Sequence, residues 1–180
     1  NYQDPVQAYA NYRASSEGGN YDTLLVGMEL LYDQYNFGEI SPLAIRYFIQ
    51  EMLPGDPQYL LLIGKGYNVN FKPHRQNPIT ATTFNLVPTA GFPGSDIALT
   101  AGLGGSSYGA ALPTGRINAR NANEVAFYLD KLIEMESIPF NELWRKNLIH
   151  LSGGLTQGEL ALFKRYVDQF EAVAEGPFFG

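Results

Sequence analysis

A chain of 180 residues, 45% hydrophobic and 13% aromatic, is long enough to bury one hydrophobic core, which disfavours extensive disorder. Its net charge of −6, without any cluster of Lys and Arg, disfavours binding to nucleic acid or to anionic lipid. The chain has no cysteine, which excludes disulfides and cysteine-ligated zinc, and no apolar run approaches the ~20 residues of a membrane-spanning helix. Peptides and soluble proteins remain as partners.

The first predicted elements are short. Residues 1–20 form a lead-in segment that has room for one short helix. The apolar run at 23–26 predicts a buried parallel strand, and residues 28–35 predict a helix that ends at Phe37 and Gly38. We therefore place the start of the first folded subdomain at residue 21.

A capped helix and a buried strand follow in direct succession. Ser41 is a typical helix cap, Pro42 suits the first turn, and apolar residues recur at helical spacing as far as Met52. Residues 59–63 have no polar side chain between their ends, as in a central strand of a parallel sheet covered by helices on both faces. This order predicts half of a parallel α/β unit.

The connection from 64 to 107 is rich in proline, glycine and asparagine, and within it only residues 84–87 predict a strand. Loops of this length are usually functional or mobile. Ligands of open α/β sheets bind outside the carboxyl ends of the strands, which is where we expect Lys65 and Asn68. Lys65 and Asn68 are therefore candidate substrate-binding residues.

The second half of the chain predicts two more strand and helix pairs. Residues 113–117 predict a strand, and Asn121 with Glu124 predicts a capping box that starts the next helix. Residues 147–151 predict a further strand, and Thr156 with Glu159 predicts a second capping box. The last helix is expected to bury Leu160, Phe163, Val167, Phe170 and Ala174. Because such a helix should return to a following strand, we expect the fold to be truncated at Gly180.

Two glycine motifs are weak matches to functional patterns. Residues 105–109 match G-x-S-x-G, with Ser107 as the nucleophile of a serine hydrolase. That elbow needs a strand before the serine and a helix after it, so a solvent loop is favoured. Residues 64–66 begin like a dinucleotide-binding turn, but Val69 replaces the third glycine and no helix pattern follows.

The spacing of the candidate metal-binding and basic residues gives little indication of a site. Asp96 and Asn70 are candidate metal ligands, and with Asn68 they could supply oxygen atoms to calcium, although no cofactor is required. A turn-capping role for Asp96 is the competing interpretation. His150 fits a structural role in its predicted strand better than that of a catalytic base. Arg116 either forms a buried ion pair or reaches the ligand cleft.

The order of these segments resembles the gingipain family of cysteine peptidases, and most of all its type IX secretion sortase-like branch. The resemblance extends from about residue 21 to residue 162. It rests on residues 21–35, residues 41–66, Gly94-Ser95-Asp96, Gly115-Arg116, Asp130-Lys131, Trp144-Arg145-Lys146 and Ser152-Gly153-Gly154.

The resemblance implies a caspase-like α/β fold, a three-layer sandwich with a mainly parallel sheet between helices. Residues 21–146 would form the first subdomain, and residues 147–180 the truncated start of a second one. It also implies thiolate attack on a peptide carbonyl, assisted by His, with peptide-bond cleavage or transpeptidation as the outcome. Both catalytic residues would lie beyond Gly180, so this chain alone is predicted to be inactive.

The resemblance further implies a peptide or protein substrate, contact with secretion-system components, and a secreted or cell-surface location. In arginine-specific members an acidic residue near the start of the helix after the Ser-Gly-Gly turn binds the substrate cation, which makes Glu159 a candidate. Relatives often carry Asp where this chain has Lys65. The alternative from another class is a non-catalytic, flavodoxin-like module that binds a peptide or small ligand.

Overall fold

The computed structural model describes residues 3–67, 76–77, 79, 85–91, 93–105 and 107–177. The chain forms two compact units, Asn1–Ser137 and Ile138–Gly180. Across the described ranges, no helix has both the length and the apolar character that crossing a membrane requires. The subdomain division predicted at residues 20/21 and 146/147 stays a prediction.

A parallel pair of strands lies at the centre of the first unit. Strand β1, Leu60–Ile63, pairs with strand β2, Thr114–Ile117, and Leu62 lies opposite Arg116. Both strands were predicted, and their parallel pairing confirms the α/β class. Within the described residues the sheet has these two strands, and Leu61 is 38% exposed. A three-layer sandwich with both faces covered therefore stays a prediction.

The described ranges of the first unit include the helices α1, Gln3–Ala14, α2, Met28–Asn36, α3, Pro42–Met52, and α4, Ala122–Ser137. Helices of this unit begin or end at residues that carry local capping signals, as in α2 and α3. Phe37 ends α2 in the left-handed conformation, with its N–H donating to the carbonyl of Tyr32. Ser41 caps α3 by accepting a hydrogen bond from the Leu43 N–H at 3.2 Å.

The larger hydrophobic core forms where α2 and α3 pack on β1. Ile45 and Ile49 of α3 and Leu62 of β1 are almost fully buried, and burial of one such side chain stabilises a fold by about 1.5–3 kcal/mol. The connection between β1 and β2 contributes to the same core through Val87, Leu99, Leu103 and Leu112. Part of this turn-rich connection is thus a packed element of the domain.

A smaller core joins the amino-terminal helix to the end of β2. Val6 and Tyr9 of α1 pack against buried Ile117 and Val125. At the other end of α1, Arg13 donates a hydrogen bond to Glu136 of α4 at 2.9 Å. Residues 1–20 therefore contain a helix, as predicted, and that helix is docked on the domain.

Three of the predicted strands are not observed among the described residues. Residues 23–26 have no ladder partner, and Leu24 is 64% exposed. Residues 85–87 contain bends, and residue 84 lies outside the described ranges. Residues 147–151 belong to no strand and are exposed. An apolar run forms a strand only when a neighbour supplies ladder hydrogen bonds, and the described neighbour of β1 is β2.

The second unit contains the 3-10 turn Leu143–Lys146 and helix α5, Gln157–Ala174. The predicted capping box is confirmed, with the Glu159 N–H donating to the Thr156 hydroxyl at 3.2 Å. The predicted burial is wrong, because α5 has no buried residue and Phe170 is 66% exposed. One helix and one short turn cannot enclose an apolar stripe.

Candidate functional site

The carboxyl ends of β1 and β2 carry a hydrogen-bonded group that we call the strand-end cluster. Hydrogen bonds join six of its residues, Gly64, Lys65, Val87, Asp96, Arg116 and Ala119, and Gly66 completes it by lying close to Val87 and Arg116. Because the two strands are parallel, their carboxyl ends lie at one edge of the sheet, where open α/β folds bind ligands. This edge is therefore the candidate site of the first unit.

Arg116 is the centre of the cluster. Its Nε and Nη2 donate to the two carboxylate oxygens of Asp96, each at 2.7 Å. Its Nη1 donates to the carbonyl of Gly64 at 2.6 Å and to the carbonyl of Val87 at 2.9 Å. The planar guanidinium thus connects the end of β1 with two separate points of the long connection.

The main chain of Lys65 is held from two sides. Its N–H donates to the carbonyl of Ala119 at 2.8 Å, just after β2. Its carbonyl accepts from the N–H groups of Leu86 at 2.9 Å and Val87 at 3.2 Å. The chain that leaves β1 is therefore bound both to the exit of β2 and to the long connection.

Close backbone approach explains why glycine precedes and follows Lys65. Gly64 has φ +139°, and a Cβ there would lie 2.9 Å from Cγ2 of Val87. A Cβ on Gly66 would lie 3.0 Å from the Val87 carbonyl oxygen and 3.3 Å from Nη1 of Arg116. The glycines that resembled a dinucleotide-binding turn are thus required by packing within the cluster.

The electrostatics of the cluster favour an ionised Asp96. Hydrogen bonds from Arg116 outweigh the opposing effect of desolvation and hold the pKa of the Asp96 carboxyl below its ordinary value. The Arg116 and Asp96 side chains are 12% and 24% exposed, so the pair is largely shielded from solvent. The arrangement is a charge-neutral connector.

Two of the predicted site residues meet in this cluster. Lys65 is partly buried within it, and Asp96 is bound through both oxygens to Arg116. Asn68 and Asn70 lie outside the described residues. In the described ranges, no group of three or more His, Asp or Glu side chains lies close enough to bind a metal ion. The calcium site at Asp96 and Asn70 stays a prediction.

Glu159 and Ser107 lie elsewhere in the chain. One oxygen of Glu159 accepts from the N–H groups of Leu155 at 2.9 Å and Thr156 at 3.1 Å, so this side chain caps α5. Its role in binding substrate stays a prediction. Ser107 lies in a bend without the flanking strand and helix of a nucleophile elbow, as the solvent-loop interpretation predicted.

Sequence reasoning missed how Asp96 and Arg116 are joined. An arginine within an apolar strand indicated an ion pair or a ligand contact, but no spacing rule connects it to a residue twenty positions earlier. Asp96 precedes the 3-10 turn Ile97–Leu99, yet its side chain does not cap that turn. The turn-capping interpretation is therefore replaced by the ion pair.

Comparison with protein families gives one result that extends across both units. The chain matches the model of peptidase family C25 over residues 1–176. Comparisons with curated proteins and with solved structures found no match. The match includes both strands, the strand-end cluster and the capping box of α5. The chain therefore belongs to peptidase family C25, the gingipain family of cysteine peptidases.

Proposed function

We propose that this chain is the amino-terminal part of an exported gingipain-like cysteine peptidase or type IX secretion sortase. The observation that carries the proposal is the family match over residues 1–176 of a chain that has no cysteine. The nucleophile of such an enzyme is a thiolate, so it must come from sequence beyond this chain. We place the catalytic His there as well.

The proposed reaction has two steps. The thiolate attacks the carbonyl carbon of the scissile peptide bond, a thioester forms, and His donates a proton to the departing amine. The thioester then reacts with water to give an acid, or with a second amine to give a new peptide bond. In this scheme the strand-end cluster forms part of the substrate-binding edge, with Lys65 as a proposed substrate contact. Glu159, in the second unit, is a separate candidate for binding the substrate.

Labelling the full-length gene product with a thiol-reactive peptide electrophile tests this proposal. We expect one cysteine to be labelled, and we expect labelling to fall at least tenfold when a single downstream His is replaced by Ala. The 180-residue chain is the matched control and should remain unlabelled. A full-length protein without a cysteine, or labelling that no His replacement affects, would contradict the proposal.

The product distinguishes a peptidase from a sortase. With an added amine nucleophile, a sortase converts the thioester into a new amide, whereas a peptidase gives mainly the free acid. Mass spectrometry of the products separates these outcomes.

A further inference from the structure

We propose that Arg116 is a positioning residue for substrate, which fixes the binding edge at the end of β1 without touching the substrate itself. This inference rests on the proposed peptidase function. It concerns the first unit only, and the contacts that support it lie within or next to the strand-end cluster.

The hydrogen bonds of Arg116 argue against direct contact with substrate. A guanidinium has five N–H donors, and the four bonds from Arg116 go to Asp96, Gly64 and Val87. Its side chain is 12% exposed, and its charge is paired by Asp96. A side chain bonded in this way has little capacity left for a ligand, so it acts through the segments it binds.

The segment it positions is the one that contains Lys65. Arg116 binds the carbonyl of Gly64 directly before Lys65, and it binds Val87, whose N–H donates to the Lys65 carbonyl. Tyr67, two residues further on, donates its N–H to the Asn85 side chain at 3.2 Å. The long connection therefore sets the position of the residues that follow β1, and Arg116 binds both segments.

Arg46 of α3 provides a matched control, because it binds the same long connection. Its Nη1 donates to the carbonyls of Ala98 at 3.2 Å, Leu99 at 3.4 Å and Ala101 at 2.7 Å. None of these carbonyls belongs to the strand-end cluster. Arg46→Lys should disturb the same long connection through the same kind of bond, while leaving the exit of β1 in place.

The test uses steady-state hydrolysis of a fluorogenic peptide by the full-length gene product. In Arg116→Lys the single ammonium cannot bridge a carboxylate and two carbonyls, so we expect KM to rise roughly tenfold with kcat within about twofold. Asp96→Asn keeps the shape of the side chain and should raise KM several-fold, which tests the inference if Arg116→Lys fails to fold. Arg46→Lys should leave both constants within about twofold of wild type.

Each result decides the inference. A raised KM in the two cluster variants, with an unchanged Arg46→Lys variant, supports it. Unchanged KM in the folded cluster variants would overturn it, as would an equal rise in KM for Arg46→Lys, which would indicate general loosening of the connection. If the wild-type protein neither hydrolyses a peptide nor joins it to an added amine, the proposed function fails and the inference fails with it. If the wild type is active and the KM of Asp96→Asn is unchanged, the inference fails while the proposed function stands.

Discussion

The carboxylate of Asp96 illustrates how one residue can hold a fold together through its charge. Its two oxygens accept hydrogen bonds from Arg116, and the pair lies where β1, β2 and the long connection meet. Removing either partner leaves the other charge partly buried without compensation, which costs more than the pair contributes. The two residues therefore depend on each other.

The pH dependence of stability should report this pair. The pKa of Asp96 is lowered in the folded chain, so the pair stabilises the fold above the ordinary value of 3.8, and that contribution is lost as the pH falls below it. We expect Asp96→Asn to be less stable than wild type at neutral pH and to show a shallower loss of stability in acid. Urea unfolding across the acidic range measures both effects.

The exposed pair between Lys164 and Asp168 supplies the control for that experiment. Its Nζ to Oδ1 distance is 2.8 Å, but its side chains are 69% and 50% exposed. Solvent screens such a pair, so the free energy of unfolding of Asp168→Asn should decrease in acid nearly as it does in wild type. If the free energy of unfolding fell equally steeply with decreasing pH in wild type and in Asp96→Asn, the role assigned to Asp96 would be contradicted.

At the scale of the elements, α5 depends mainly on local interactions. Its apolar side chains are not buried, so its stability comes from helix propensity, the capping box and the pair between Lys164 and Asp168. The helices of the first unit gain most of their stability from packing against the two cores. Local substitutions should therefore have larger effects on the helicity of α5.

Thr156→Ala should reduce the helix content of the chain. The substitution removes the side chain that accepts the Glu159 N–H, and loss of such a cap costs about 1 kcal/mol of helix stability. Far-ultraviolet circular dichroism measures the change, and Ser152→Ala, outside the helix, is the control. Equal helix content in the two variants would show that the cap does not limit the formation of α5.

Helix ends could be predicted from the sequence, whereas it could not be predicted which apolar runs would find a strand partner. Ser41, Phe37 and Thr156 act on residues close in the chain, so their effect is visible in a short window. The predicted strand at 23–26 depended on a partner that a local pattern does not reveal. The ion pair between Arg116 and Asp96 could not be predicted for the same reason, although each residue had been singled out by itself.

For the whole molecule, hydrophobic burial is concentrated in the first unit. The buried hydrophobic side chains in the described part of the chain all lie at or before Leu129. The described residues after Ser137, which end at residue 177, contribute one helix and one 3-10 turn without a core. The cooperative unfolding of the chain should therefore be a property of residues 1–137.

Deleting residues 138–180 should leave the thermal unfolding midpoint within a few degrees of that of the whole chain. A deletion at the other end is the control. Removing residues 1–14 takes Val6 and Tyr9 away from Val125, and should lower the midpoint by several degrees. Differential scanning calorimetry measures both variants. A large decrease in the first deletion would show that the second unit contributes to the stability of the core.

The α/β class and most helices could be predicted from the order of apolar runs and caps, whereas the family was predicted from a resemblance to gingipain-like peptidases. The packing of the long connection could not, because its apolar residues are spaced without a regular period. Val87, Leu99, Leu103 and Leu112 enter the core from turns, and their burial depends on the fold of the whole unit.

That packing has a consequence for protein engineering. A loop on a protein surface can be exchanged between relatives to transfer substrate preference, because the scaffold beneath it is unaffected. Here the connection after β1 supplies side chains to the same core as α2 and α3. A graft that replaces it would remove part of the domain interior, so changing specificity by this route would require redesigning the scaffold together with the loop.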